Sequence, residues 1–181
     1  MNVRVVAFLR AVNVGGRVVK MDRLRAIFED EGFTNVETFI ASGNVVFDAM
    51  SRPGASLERS IEARLRDELG FEVATFLRMT AELRAVAEHQ AFTAAAIKRS
   101  VALNVAFLRQ APDAQSVKAV MSLAGALDDF HVRGRELYWL SRTRQGESKL
   151  SNAVFEKTLG QAATMRGIST IRKMAEKFGS E

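Results

Sequence analysis

The pentapeptide Val-Ala-Phe-Leu-Arg occurs twice in this chain, at residues 6–10 and again at residues 105–109. Each copy lies in an apolar run that is typical of a buried β-strand. Around both copies, apolar stripes and turn residues follow one another in the same order. Self-similarity over most of a chain indicates one supersecondary unit that is used twice. This duplication is the strongest constraint on what the chain can fold into.

The first unit has the order β-α-β-β-α-β, which is the order of a ferredoxin-like fold. Apolar runs predict its strands, and 3.6-residue periodicity predicts its helices. The strands are expected at 3–10, 36–40, 45–48 and 71–78, and the helices at 21–31 and from a Ser56 cap to Gly70. Ser42-Gly43-Asn44 is expected to turn the chain between the two middle strands. A connecting helix at 80–90 follows, and 91–100 shows no clear period.

The second unit repeats this order. Strands are expected at 102–109, 127–132 and 136–141, with a weak closing strand at 162–165, and helices follow Asp113 and cover 148–159. A last helix at 169–178 carries an apolar stripe. We therefore expect an α/β (α+β) chain built as a tandem duplication of ferredoxin-like units with an extra C-terminal helix. The domains are expected at 1–90 and 101–181, packed as one compact unit.

The central strands are apolar on both sides, although the helices of a ferredoxin-like unit cover only one face of its sheet. The second face is therefore expected to be covered too, by the sister repeat, the last helix or a second copy of the chain. Tyr138 and Trp139 alternate on one strand, so one should face the core and the other the opposite face.

Composition excludes several functional classes. The chain has no cysteine, which rules out disulfides, a thiolate nucleophile and Cys-ligated metal centres. No apolar run has the length of a membrane span, and no signal-peptide pattern occurs, so we expect a cytoplasmic protein without a membrane partner. The net charge of +5 lies entirely in residues 133–181, which contain 10 basic and 5 acidic residues. Such a region suits an anionic partner, a small phosphorylated ligand or the backbone of a nucleic acid, but it also suits a solvated Arg-rich surface.

The most distinctive candidate site is the loop between the first strand and the first helix. Paired glycines permit close approach of the backbone, basic side chains add positive charge, and the helix that follows favours an anion at its N-terminus. The residues assigned to an anion site are Arg10, Asn13, Gly15, Gly16 and Lys20, with Arg166 as a possible addition. The loop matches neither a Walker loop nor a dinucleotide-binding pattern. The alternative is that the glycines only turn the chain and that Asn13 bonds within the loop.

Other polar residues support weaker hypotheses. Asp128, Asp129 and His131 are spaced so that they could hold a divalent ion or relay a proton, although an exposed strand edge explains them as well. His89 ends a helix, where a cationic imidazole is favourable. No metal site and no cofactor are assigned. A metal-independent enzyme using Arg10 or Lys149 with Asn13 at the repeat interface is one alternative function. A self-associating structural protein, for example a homodimer, is another.

Two linked motifs resemble a known family. Residues 8–16, Phe-Leu-Arg-Ala-Val-Asn-Val-Gly-Gly, and residues 42–47, Ser-Gly-Asn-Val-Val-Phe, are similar to the signatures of the bacterial family of domains of unknown function numbered 1697. The resemblance implies a two-repeat ferredoxin-like fold and supplies no activity, cofactor or catalytic set. Ala11 stands where the family usually has glycine. Near the C-terminus Thr164, Arg166 and Thr170 match the family, whereas its Asn-Trp-Asn is replaced by residues 167–169.

Overall fold

The computed structural model of the chain describes residues 2–40, 43–144 and 147–179. Two β-α-β-β-α-β series follow one another, as the duplication predicts. The first series is β1 (Val3–Leu9), α1 (Met21–Asp30), β2 (Thr34–Thr38), β3 (Asn44–Ala49), α2 (Ala55–Leu69) and β4 (Thr75–Met79). Two helices follow, α3 (Thr80–Glu88) and α4 (Ala94–Lys98). The second series is β5 (Ala102–Leu108), α5 (Ala114–Met121), β6 (Asp128–Arg133), β7 (Glu136–Ser141), α6 (Asn152–Leu159) and β8 (Ala163–Gly167), and α7 (Ile168–Phe178) comes last.

The strands form two antiparallel four-stranded sheets with the same topology. Their orders are β2-β3-β1-β4 and β6-β7-β5-β8, so the two pentapeptide copies lie on the central strands β1 and β5. The register also repeats, because Val6 lies opposite Arg78 and Val105 lies opposite Arg166. The two halves therefore form a duplicated α+β fold of ferredoxin-like units.

The described residues divide into two compact units, one of residues 2–84 and 174–179 and the other of Ala85–Lys173. In the first unit, α1 and α2 cover one sheet face with apolar stripes that include Leu24, Phe28 and Leu65. The helix α2 ends at Gly70, which adopts the left-handed conformation expected of a glycine stop. The predicted start of α2 is wrong: Gly54, not Ser56, is the N-cap, and no side chain caps this end.

The core of the second unit is built around Trp139. Its ring packs edge-to-face on Phe155 of α6, and its Nε1 donates a hydrogen bond of 2.7 Å to Asp128 Oδ1. The helix α5 follows Asp113, as predicted, and Asp113 caps it by accepting from Ser116 N. The helix α6 begins at Asn152 with Ser151 as its cap, so the start predicted at residue 148 is wrong.

The closing strand β8, which is weak in the sequence, is present and pairs with β5. A glutamate side chain of the preceding helix helps to hold this strand, and the same contact occurs in the first unit. Glu156 Oε1 of α6 accepts from Ala163 N at 2.8 Å, and in the first unit Glu62 Oε1 of α2 accepts from Thr75 N at the same distance. Both strands are therefore anchored at equivalent positions by a glutamate of the preceding helix.

The faces opposite the helices are buried as well. Val6 and Phe8 on β1 and Tyr138 on β7 point to these faces and are almost completely buried. In the first unit, the Phe178 ring of α7 packs edge-to-face on Phe39 and lies 5.8 Å from the Arg4 guanidinium carbon. The last helix thus contributes to the second face of the first sheet, as its apolar stripe predicts.

Three further observations bear on the predicted organisation. The segment without a clear period contains the short helix α4, capped by Thr93. Ser42 of the expected turn lies outside the described residues, while Gly43 adopts φ +77° beside it. Of the helices in the described ranges, none combines the length and the apolar character that crossing a bilayer requires.

Candidate functional site

The loop between β1 and α1 begins at a fixed point of the first sheet. Leu9 N donates to Gly43 O at 2.8 Å, and Arg10 N donates to Ala74 O at 2.9 Å. Val12 is buried in the core, and Asn13 Oδ1 accepts from Val19 N at 2.7 Å across the loop. The Asn13 side-chain oxygen therefore braces the loop, as the alternative interpretation of this loop predicts.

The middle of the loop is a tight turn of residues 14–17. Arg17 N donates to Val14 O at 3.2 Å, and Gly15 and Gly16 have φ +62° and +82°, the signs of a type I′ turn. Apart from the glycine itself and its two chain neighbours, no heavy atom of the described residues lies within 4 Å of a Cβ built on either glycine. Both glycines are thus required by conformation rather than by space, and their backbone is open to an approaching molecule.

Basic side chains surround this turn. The Arg17 guanidinium carbon lies 4.4 Å from the Phe71 ring centroid, a cation–π contact that orients an exposed cation. Lys20 is exposed and is the N-cap of α1, and its own side chain makes no capping hydrogen bond. No acidic residue precedes Asp22 in the sequence, and Asp22 itself pairs with Arg25 at 3.1 Å. The loop is consequently an exposed cationic segment at an uncapped helix N-terminus.

Ala11, at the entrance to the loop, has φ +56°. The left-handed region is unfavourable for a residue with a Cβ, and glycine is the residue that adopts it without penalty. The sequence signal for this strained position is that alanine replaces the glycine that the family resemblance implies, which indicates a less permissive loop.

Arg166 lies in the second unit, on β8, and its guanidinium is largely buried. Its Nη1 donates to Thr164 Oγ1 at 3.0 Å and to Met165 O at 2.8 Å, and burial lowers the pKa of Arg166 to about 10. Arg78, at the equivalent position of β4, is fully buried and donates to Leu77 O at 2.8 Å. This repetition favours a structural role for Arg166 in its own unit.

The polar residues of β6 do not form the divalent-ion site that was considered. Asp128 accepts from Trp139, and Asp129 pairs with Arg142 at 2.6 Å. His131 instead faces His89, with 2.9 Å between their Nε2 atoms. In the part of the chain that the structure describes, no three His, Asp or Glu side chains are grouped to hold a metal ion.

This histidine pair is an arrangement of chemically active side chains that sequence reasoning missed. The pKa of His89 is lowered, chiefly because burial disfavours its charged form, with the charges of Arg133 and His131 adding to the effect. Tyr138 packs against both rings, and burial raises its pKa to about 12. The two histidines lie 42 residues apart, one directly after α3 and the other on β6, so no local pattern could reveal their contact.

Clefts of the first unit are lined by residues outside the loop. One of about 350 Å³ is lined by Arg4, Asp48 and Arg52, and a second of about 380 Å³ lies beside Asp48 and Met50. Arg4 pairs with both Glu37 and Asp48, at 2.7 and 3.1 Å. Because Arg4 is already paired with two carboxylates and Asp48 itself lines the first cleft, this cleft is less suited to an anion than the exposed loop.

Comparisons with known proteins agree with this architecture. A family model described as "Protein of unknown function (DUF1697)" matches residues 1–138. A solved structure, that of the conserved bacterial protein SP0830 from Streptococcus pneumoniae, superposes with a TM-score of 0.74 over 98% of this chain and 99% of that one. The two sequences are 22% identical, so this likeness concerns the fold alone. No protein of curated function matches the chain.

Proposed function

The chain belongs to the DUF1697 family of proteins of unknown function, and from that premise we propose that it is a cytoplasmic binding module for a small phosphorylated ligand. The proposed binding site is the loop of residues 10–20. The observation that carries the proposal is the open type I′ turn at Gly15 and Gly16, flanked by Arg17 and Lys20, at a helix start without a side-chain cap.

The loop provides both the hydrogen-bond donors and the positive charge that phosphate binding requires. Backbone N–H groups at the start of α1 have no intrahelical partner and can donate to phosphate oxygens. Lys20 and Arg17 supply charge, and Arg17 is held in place by Phe71. Arg10 follows a β1 end that is anchored on both sides. The ligand would therefore meet donors whose positions are largely set before it binds.

Nucleic acid is the less favoured phosphate source. Several of the basic residues that produce the positive charge of residues 133–181 already have partners within the fold. Arg142 pairs with Asp129, Lys177 pairs with Glu37, and Arg166 is buried. A nucleic-acid surface needs many cations that remain available for phosphates. The compact loop suits a single phosphate group better.

An NMR titration of the full chain tests the proposal. Amide spectra would be recorded at about 25 mM salt with inorganic phosphate, ribose 5-phosphate, nucleoside monophosphates and a short single-stranded RNA. We expect the small phosphates to shift amides of residues 10–20 and of the first turn of α1. Binding only to RNA, with a steep salt dependence, would instead favour nucleic acid.

A pair of charge-matched variants makes the test specific. Lys20→Gln should weaken phosphate binding several-fold, because it removes a cation beside the ligand. Lys118→Gln removes the same charge from an exposed position on α5 in the second unit and should leave the affinity unchanged. Equal weakening by both variants, or no amide shift at low salt, would contradict the proposal.

A further inference from the structure

The chain has only two histidines, and the second unit brings their Nε2 atoms to 2.9 Å from each other. His89 directly follows α3, whereas His131 lies on β6. Both side chains are half-buried, so the pair is supported by the fold but remains open to solvent on one side. The facing nitrogens are the atoms through which imidazoles bind metal ions.

The surroundings hold the two rings in place. The Tyr138 ring lies between β7 and the histidines, with its centroid 5.2 Å from that of His89 and 6.1 Å from that of His131. The Tyr138 hydroxyl donates to Val86 O at 3.1 Å, which fixes the tyrosine against α3. The imidazoles are therefore positioned before any ion arrives, which lowers the entropic cost of binding one.

We propose that His89 and His131 form a bidentate site for a divalent transition metal that prefers tetragonal coordination, Cu²⁺ or Ni²⁺. Imidazole nitrogens bind such metals at about 2.0–2.1 Å, so two neighbouring ligands at 90° lie about 2.8–3.0 Å apart. Tetrahedral coordination, which Zn²⁺ prefers, needs about 3.3 Å at the same bond length. The observed 2.9 Å between the two Nε2 atoms matches the spacing that the right-angled arrangement requires.

Metal binding exchanges water ligands for imidazole nitrogens and needs no further reactant. In the metal-free pair, one protonated Nε2 donates a hydrogen bond to the unprotonated Nε2 of the other ring. When the ion binds, both Nε2 lone pairs replace two water molecules of the hydrated cation. The proton leaves the donor Nε2 and is taken up at Nδ1 of the same ring through solvent, so the charge of the pair does not change. Water occupies the remaining coordination positions.

The neighbouring charge sets a limit on affinity. Arg133, whose Nη1 donates to Ala85 O at 3.2 Å, acts on His89 as a positive charge. A nearby cation opposes the binding of a second one. We therefore expect a site of moderate affinity that exchanges its metal, rather than one that holds it permanently.

The test uses the full chain without an affinity tag. Cu²⁺, Ni²⁺ and Zn²⁺ are titrated separately, with Trp139 fluorescence as the binding signal, and the Cu²⁺ complex is examined by electron paramagnetic resonance. We expect hyperfine coupling to two imidazole nitrogens and axial, tetragonal parameters. His89→Gln and His131→Gln should each weaken Cu²⁺ binding at least tenfold. The double variant measures the background from the N-terminal amine and surface carboxylates.

A measurement on the unchanged protein covers the case in which a variant fails to fold. Cu²⁺ is paramagnetic and should broaden the amide signals around residues 89 and 131 before any others. Broadening that begins elsewhere, coupling to a single nitrogen, or single variants that bind Cu²⁺ as tightly as the unchanged chain would each overturn the proposal. The phosphate titration involves other residues, so the two proposals can fail independently.

Discussion

Replacing Ala11 with glycine should stabilise this protein. Ala11 has φ +56°, a left-handed conformation that costs a residue with a Cβ about 1–2 kcal/mol. Glycine removes this strain, but it adds about 0.4–1 kcal/mol of conformational entropy to the unfolded chain. The half-buried Ala11 methyl group also gives up a little packing. We expect a net gain of about 0.5–1 kcal/mol in the free energy of unfolding.

Urea denaturation followed by circular dichroism measures this gain. The midpoint temperature of thermal unfolding should rise by about 1–4 °C for a chain of this size. Ala85→Gly is the matched control, because Ala85 is exposed within α3. There the same change should lower stability by about 1 kcal/mol, since glycine is a poor helix former. If Ala11→Gly destabilised the protein as Ala85→Gly does, the strain assigned to the loop entrance would be refuted.

Three further substitutions test the packing around the described elements. Gly43→Ala should lower the free energy of unfolding by about 1–3 kcal/mol, because the φ of Gly43 is +77° and the new Cβ would lie 3.2 Å from two side chains. An unchanged urea midpoint would argue against this tight approach. Glu156→Ala should cost about 1–2 kcal/mol and speed hydrogen exchange at Ala163, whose N–H loses its acceptor; unaltered exchange would mean that β8 is held by other contacts. Asp128→Ala should cost about 1.5–3 kcal/mol, and less in a Trp139→Phe background where the donor is already absent; equal costs would exclude coupling between the two.

The duplication is useful beyond the fold, because it provides an internal comparison. Arg78 and Arg166 occupy equivalent strand positions and make equivalent bonds to the preceding carbonyl. The loops after the two pentapeptides have no such equivalence. The first contains the Gly15–Gly16 turn, whereas Arg109 is connected to the Asp113 cap by three residues without a glycine. Features that repeat serve the fold, and the feature present in only one copy is the better candidate for function.

The apolar stripes and the glycine stops of the helices were more predictable than the helix starts. The stripe of α1 and the glycine stops of α2 and α6 follow from side-chain spacing and from one residue's backbone preference. The start of α2 was mispredicted because a serine two residues beyond Gly54 looked like a cap. The closing strand β8 has only a weak strand pattern in its own sequence. It is stabilised by pairing with β5 and by a hydrogen bond to Glu156.

The sequence by itself determined the duplication, the order of elements and the glycine turn of the candidate site. All three depend on periodicity and on local backbone preference, which act within a few residues. Only the tertiary structure decided the partners of the polar side chains. It paired Asp128 with Trp139 and His131 with His89, and it placed Ala11 in a left-handed conformation. The reason is geometric: such partners are brought together by sheet register and helix packing, which a local pattern does not encode.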